Sequence, residues 1–131
     1  MDAEVLKKRT KQFALRNIRL FRSLPKTEEA RVIGKQLLRS ATSVGANYRA
    51  ACRARSNEEF YSKLSIVVEE ADETLFWMEL LIEAEIIKHE KIKDLMNENI
   101  EILSIMAASR KTAKRVTKQA IKSTSLQVNK S

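Results

Sequence analysis

The sequence predicts an all-α protein, an antiparallel up-down four-helix bundle. Three observations carry the prediction. Two glycines and one proline in 131 residues are too few punctuators for a sheet with many turns. Apolar residues recur at three- and four-residue spacing along four long stretches. A proline and a capping box fall between those stretches, where short connections reverse the chain. At this length one domain buries roughly two thirds of its unfolded surface, so a single core suffices.

The first helix is expected over residues 3–24. Its apolar positions are Val5, Leu6, Phe13, Ile18, Leu20, Phe21 and Leu24, loosely helical in spacing. Pro25 ends it, because the ring donates no hydrogen bond and disfavours a helical residue before it. Thr27 caps the second helix, expected over 28–55, and Glu28 and Glu29 lie in its first turn, where the helix dipole favours acids. Ile33, Leu37, Ala41, Val44, Tyr48, Ala51 and Arg55 form its expected core stripe.

Ser56-Asn57-Glu58-Glu59 reads as a capping box opening the third helix, expected over 57–88. Phe60, Leu64, Val67, Ala71, Thr74, Met78 and Leu81 alternate four and three apart, the heptad rhythm of bundle packing. Phe76, Trp77, Leu80 and Ile82 widen this face beyond a two-position seam. A wide face meets more than one neighbour, so Phe76, Trp77 and Leu80 are the expected oligomer contact. The fourth helix is expected over 90–120, with Ile92, Leu95, Met96, Ile100, Leu103 and Met106 as its stripe. The bundle thus spans residues 1–122, followed by a frayed tail over 123–131.

Catalytic and metal chemistry find little support in these residues. Gly34 and Gly45 lie eleven apart inside a helical pattern and follow no strand, so they do not form a phosphate loop. Small residues at 40, 41, 43, 45 and 46 point instead to a close helix crossing. The single cysteine, Cys52, excludes an internal disulfide and lacks an adjacent base. The single histidine, His89, cannot supply the paired Glu-x-x-His motifs of a di-metal bundle. Glu69, Glu70, Asp72 and Glu73 suit pairing with Arg39, Arg49 or Arg53 on the second helix better than catalysis. The expectation is therefore no catalytic residue, no metal and no cofactor. The N-terminal segment has no apolar signal-peptide core, and no apolar run is long enough to span a membrane, so a cytoplasmic protein with no membrane partner is expected.

Charge is the informative property. Net charge is +10 over residues 1–55, −9 over 56–109 and +7 over 110–131. Lys7, Lys8, Arg9 and Lys11 cluster near the start of the first helix. Arg110, Lys111, Lys114, Arg115 and Lys118 cluster near the end of the fourth. In an up-down bundle those helices are neighbours, and the two clusters are expected to merge into one basic end. Such a patch is an electrostatic footprint for phosphate backbone, RNA or DNA. The alternative is a scaffold for an acidic protein or enzyme subunit, without direct nucleic-acid binding.

Residues 37–81 resemble the signature of the four-helix-bundle 23S rRNA-intervening-sequence proteins. The resemblance rests on Arg39, Thr42-Ser43-Val44-Gly45-Ala46-Asn47, Ser56 to Phe60, Glu69 to Thr74 and Trp77 to Leu81. It departs at Glu69, where the family pattern carries lysine, and extends over about residues 13–108. The resemblance implies a bacterial four-helix bundle that assembles as a homopentamer and has no assigned catalytic residues. It also implies kinship with the accessory protein of diversity-generating retroelements, which binds nucleic acid and a reverse transcriptase. The basic tail lies outside the motif.

Overall fold

A computed structural model describes residues 1–130, with side chains through Thr124. The chain forms α1 (Ala3–Ser23), α2 (Glu28–Cys52), α3 (Asn57–Glu83) and α4 (His89–Lys130), with no strand among the described residues. Consecutive helices pack side by side, α1 on α2, α2 on α3 and α3 on α4. The backbones of α1 and α4 come close at few points, and long side chains bridge the seam between them.

Local chemistry sets the helix starts. Asp2, Thr27 and Ser56 are extended N-caps whose side chains accept hydrogen bonds from the N–H groups of Val5, Ala30 and Glu59. In the capping box the return bond comes from Arg55 N–H, which donates to Glu59 Oε2 at 3.4 Å. The second helix ends at Cys52, three residues before the expected 55.

The third helix ends at Glu83 rather than at 88. Glu85 takes a left-handed conformation with φ of 57°. Its N–H donates to Ile82 O at 3.0 Å, and Ile86 N–H donates to Leu81 O at 3.0 Å. These are the two bonds of a Schellman stop, built here without the usual glycine. No glycine marks this stop in the sequence.

The core stripes of α2 and α3 follow the expected rhythm. Leu37, Ala41, Val44, Leu64, Val67 and Met78 are fully buried. The other two helices differ. Along α1 the inward row is Leu6, Thr10, Phe13, Asn17 and Leu24, while Val5 faces solvent at 47% exposure. Along α4 it is Ile92, Leu95, Asn99, Ile102 and Met106, while Ile100 is 44% exposed. Three polar residues in core positions hide a regular heptad in both helices.

Each buried polar side chain makes at least one hydrogen bond, although Asn17 Oδ1 accepts none. Thr10 Oγ1 donates to Leu6 O at 2.8 Å, and Asn17 Nδ2 donates to Phe13 O at 2.9 Å. The Asn99 amide reaches α3; assigned in the orientation that satisfies both of its ends, its nitrogen donates to Ala71 O at 3.2 Å and its oxygen accepts from Leu75 N–H at 2.9 Å. An asparagine that reads the backbone of the facing helix fixes the α3–α4 register as a leucine does not.

Gly45 lies where α2 crosses α1. A methyl group added there would meet Thr10 O at 3.2 Å and Thr10 C at 3.4 Å. The small-residue run around it marks the expected close crossing.

Candidate nucleic-acid interface

The length of α4 positions the main cationic surface. It has 42 residues against 21 in α1, or about 63 Å against about 32 Å at 1.5 Å per residue. No glycine or proline follows Gly45 in the chain, and lysine, arginine, alanine and glutamine sustain a helix at solvent-exposed positions. Asn57, the first residue of α3, holds the far part of α4. Its Nδ2 donates to Ala113 O at 2.7 Å and to Thr117 Oγ1 at 2.5 Å. From Thr117 the helix continues to Lys130, about 20 Å beyond this clamp. The expected end at 120 is thus passed. Of the expected frayed tail over 123–131, the backbone is helical to Lys130, and Ser131 and the side chains from Ser125 lie outside the described residues.

Arg110, Lys111, Lys114, Arg115, Lys118 and Lys122 share one side of this helix by i, i+3, i+4 spacing. All but the half-buried Arg110 are exposed. Among the described residues none of the six is in an ion pair. No acid follows Glu101 in the chain, so nothing within the helix neutralises them.

The cluster on α1 is divided. Arg9 turns toward α4, where Nε and Nη2 donate to the two carboxylate oxygens of Glu98 at 2.8 and 2.7 Å. Nη2 also lies 2.9 Å from Glu101 Oε1. The hydrogen bonds that Arg9 donates, first to Glu98 and then to Glu101, push the guanidinium further above its already high range. Its side chain is only 18% exposed. Arg9 is therefore a strut between α1 and α4, and the expectation that it offers charge to phosphate is corrected on that ground.

Lys7, Lys8 and Lys11 turn the other way, onto a groove between α1 and α2 of about 360 Å³. Arg49 supplies a fourth cation, Glu4 pairs with Lys7 at 2.6 Å, and Thr42, Gly45 and Ala46 form the floor. The two basic clusters are offset along the bundle axis. Arg9 is level with Glu98 and Glu101, whereas residues 110–122 lie about 13 to 31 Å further along α4. Because α4 outruns α1, most of its cations lie beyond the level of the α1 cluster. Arg49 was not foreseen as part of a basic site; the small-residue run Thr42–Ala46 beside it was the available signal.

The expected oligomer residues have unequal settings. Phe76 is 54% exposed, while Trp77 and Leu80 are half-buried. The Phe76 and Trp77 rings meet edge to face at 4.9 Å, and Trp77 Nε1 donates to Glu73 Oε1 at 3.2 Å. Glu73 and Glu70 also pair with Arg39 across the α2–α3 seam, one of the arginines expected to do so.

No group of three or more His, Cys, Asp or Glu side chains is placed to hold a metal among the described residues. Cys52 is half-buried near the end of α2, and His89 opens α4 at the opposite end of the bundle. No described helix is long and apolar enough to cross a membrane.

The model of the 23S rRNA-intervening sequence protein family matches residues 2–108. The chain belongs to that family. A solved relative of the 23S rRNA-intervening sequence proteins is a protein of unknown function from the S23 ribosomal protein family of Bacteroides thetaiotaomicron VPI-5482. It is 39% identical, covers 85% of this chain and 99% of its own, and superposes with a TM-score of 0.78. Comparison with curated proteins gives no match. The family match stops at residue 108, two residues before the cationic run of α4 begins. The 23S rRNA-intervening sequence protein bundle is thus shared, and the charged extension lies beyond the matched region.

Proposed function

We propose that this 23S rRNA-intervening sequence family member is a non-enzymatic, cytoplasmic homo-oligomer that binds nucleic acid, RNA foremost, through the exposed face of α4. The observation that carries the reading is the row of six unpaired cations on a helix that runs past the bundle with no acid after Glu101. Arg110, Lys111, Lys114, Arg115 and Lys118 contact phosphates. Their binding releases counterions, and copies in an oligomer act together by avidity. The family description supports RNA as the ligand to test first, and the homopentamer implied by the family resemblance is the assembly expected.

The test is binding of a structured RNA by fluorescence anisotropy across a salt series. Affinity should fall steeply, with a log–log slope near −0.7 to −0.9 per phosphate contacted. Lys111→Glu with Lys114→Glu and Lys118→Glu should abolish binding while leaving the helical signal intact. Salt-independent binding, or unchanged binding by that variant, would sink the proposal. A second reading, a scaffold for an acidic protein, draws on the cationic groove between α1 and α2; a nuclease-resistant complex with one acidic protein would favour it.

A further inference from the structure

The outer face of α3 and the groove between α1 and α2 are complementary in charge. One row of α3 carries Glu58, Glu69, Asp72, Glu79 and Glu83, spaced by helical turns and all exposed. Between Leu64 and Ile87 the chain has seven acids and no cation. Among the described residues Glu69, Asp72, Glu79 and Glu83 have no salt-bridge partner. Phe76 stands in the middle of this row, 54% exposed and braced by the Trp77 ring. A large aromatic among unpaired carboxylates is a poor solvent face and a good anchor.

The groove offers the converse. Lys8, Lys11 and Arg49 are exposed along its walls, and Gly45 and Ala46 leave its floor without bulky side chains. The floor is small at Gly45 because even a methyl group there would come within 3.2 Å of the Thr10 carbonyl oxygen. The same run of residues therefore closes the helix crossing on one side and opens a trough on the other.

We propose that the acidic face of α3 of one copy of this chain seats in the α1–α2 groove of a second copy, with Phe76 over Gly45 and Ala46 and with Asp72 and Glu79 facing Lys8, Lys11 and Arg49. The proposal rests on the oligomeric reading above and names its two surfaces. The donor and acceptor faces differ, so the contact is heterologous and repeats from copy to copy until a ring closes. Both faces run along the side of the bundle. The α4 extensions stay outside the contact, free to present their cations together.

The experiment measures the mass of the nuclease-treated full chain by light scattering, at micromolar concentration and low salt, alongside RNA binding. The wild-type chain should exceed the 15.0 kDa monomer severalfold. Lys8→Glu with Lys11→Glu, and separately Asp72→Lys with Glu79→Lys, should each weaken association at least about 100-fold, because like charges then oppose one another across the contact. All four substitutions in one chain should restore the larger mass, a recovery that misfolding cannot produce. Phe76→Ser should weaken association with all charges kept.

A monomeric wild-type chain overturns the proposal. So does an unchanged mass in Lys8→Glu with Lys11→Glu, or a four-fold variant that stays monomeric. Loss of RNA binding in the groove variant with its mass unchanged assigns the groove to RNA and also overturns it. Failure of the α4 reading is separate: the Lys111, Lys114 and Lys118 variant then binds RNA normally, whatever its mass.

Discussion

Replacing Gly45 with alanine adds one methyl group where α2 crosses α1. The new carbon would lie 3.2 Å from the Thr10 carbonyl oxygen, 3.4 Å from its carbon and 3.7 Å from Lys11 N. All three are backbone atoms, and the α1 backbone cannot easily yield there. Thr10 is fully buried, Phe13 is fully buried one turn on, and Arg9 is clamped to Glu98. Alanine gains about 1 kcal/mol over glycine in a helix interior. Overpacking against a fixed neighbour costs about 1–3 kcal/mol. The net expectation is a loss of about 1 kcal/mol, or a fall of about 3–5 °C in Tm for a chain of this size.

Gly34 is the internal control. A methyl group there would meet Leu24 Cδ1 at 2.8 Å and the Phe21 ring at 3.0 Å, but these are ends of side chains that can turn. Gly34→Ala should therefore be neutral or stabilising, by up to about 1 kcal/mol. Thermal and urea unfolding of the two variants at one protein concentration reads the difference, since association shifts apparent stability. If Gly45→Ala is as stable as Gly34→Ala, the crossing is not tight and the reasoning fails.

Three further outcomes are expected. Glu85→Gly should raise stability by about 1 kcal/mol in urea unfolding, because glycine enters the left-handed region without the cost a side chain carries. Asn57→Ala removes the bonds to Ala113 O and Thr117 Oγ1, so amide exchange should speed up from about residue 113 onward while α2 stays protected. The Glu73 carboxyl is held below its ordinary range, first by hydrogen bonding to Arg39, so its folded value lies below its unfolded value of about 4.3. That contribution is complete above the unfolded value and is lost as pH falls through the folded one. Wild type should therefore lose slightly more stability than Arg39→Met between pH 5 and pH 3, and salt should shrink the difference because both groups reach solvent.

Local chemistry was legible in the sequence. Thr27 and Ser56 mark helix starts because a side-chain oxygen satisfies an N–H group within three residues, and no distant partner is involved. The α2 and α3 stripes read correctly because nearly every inward position is apolar or alanine. On α1 and α4 the stripe shifted because Thr10, Asn17 and Asn99 are buried while polar. Sequence rules place such residues outside, and only the facing carbonyl of Ala71 and N–H of Leu75 explain Asn99 inside. Pairing of cations is equally non-local. Arg9 and Lys8 are adjacent in a run of like residues, yet they meet different neighbours, and only one of them finds carboxylates on α4.

The sequence by itself determined the fold class, the four helices with the Thr27 and Ser56 caps, and the family to which the chain belongs, since all of these follow from short-range periodicity, capping and motif. Tertiary structure alone decided which cations are spent as struts and how far the two basic clusters are offset along the bundle. The physical reason is one of range. A cap closes within a turn of helix, whereas the charge a surface presents depends on which side chains from distant segments reach it first.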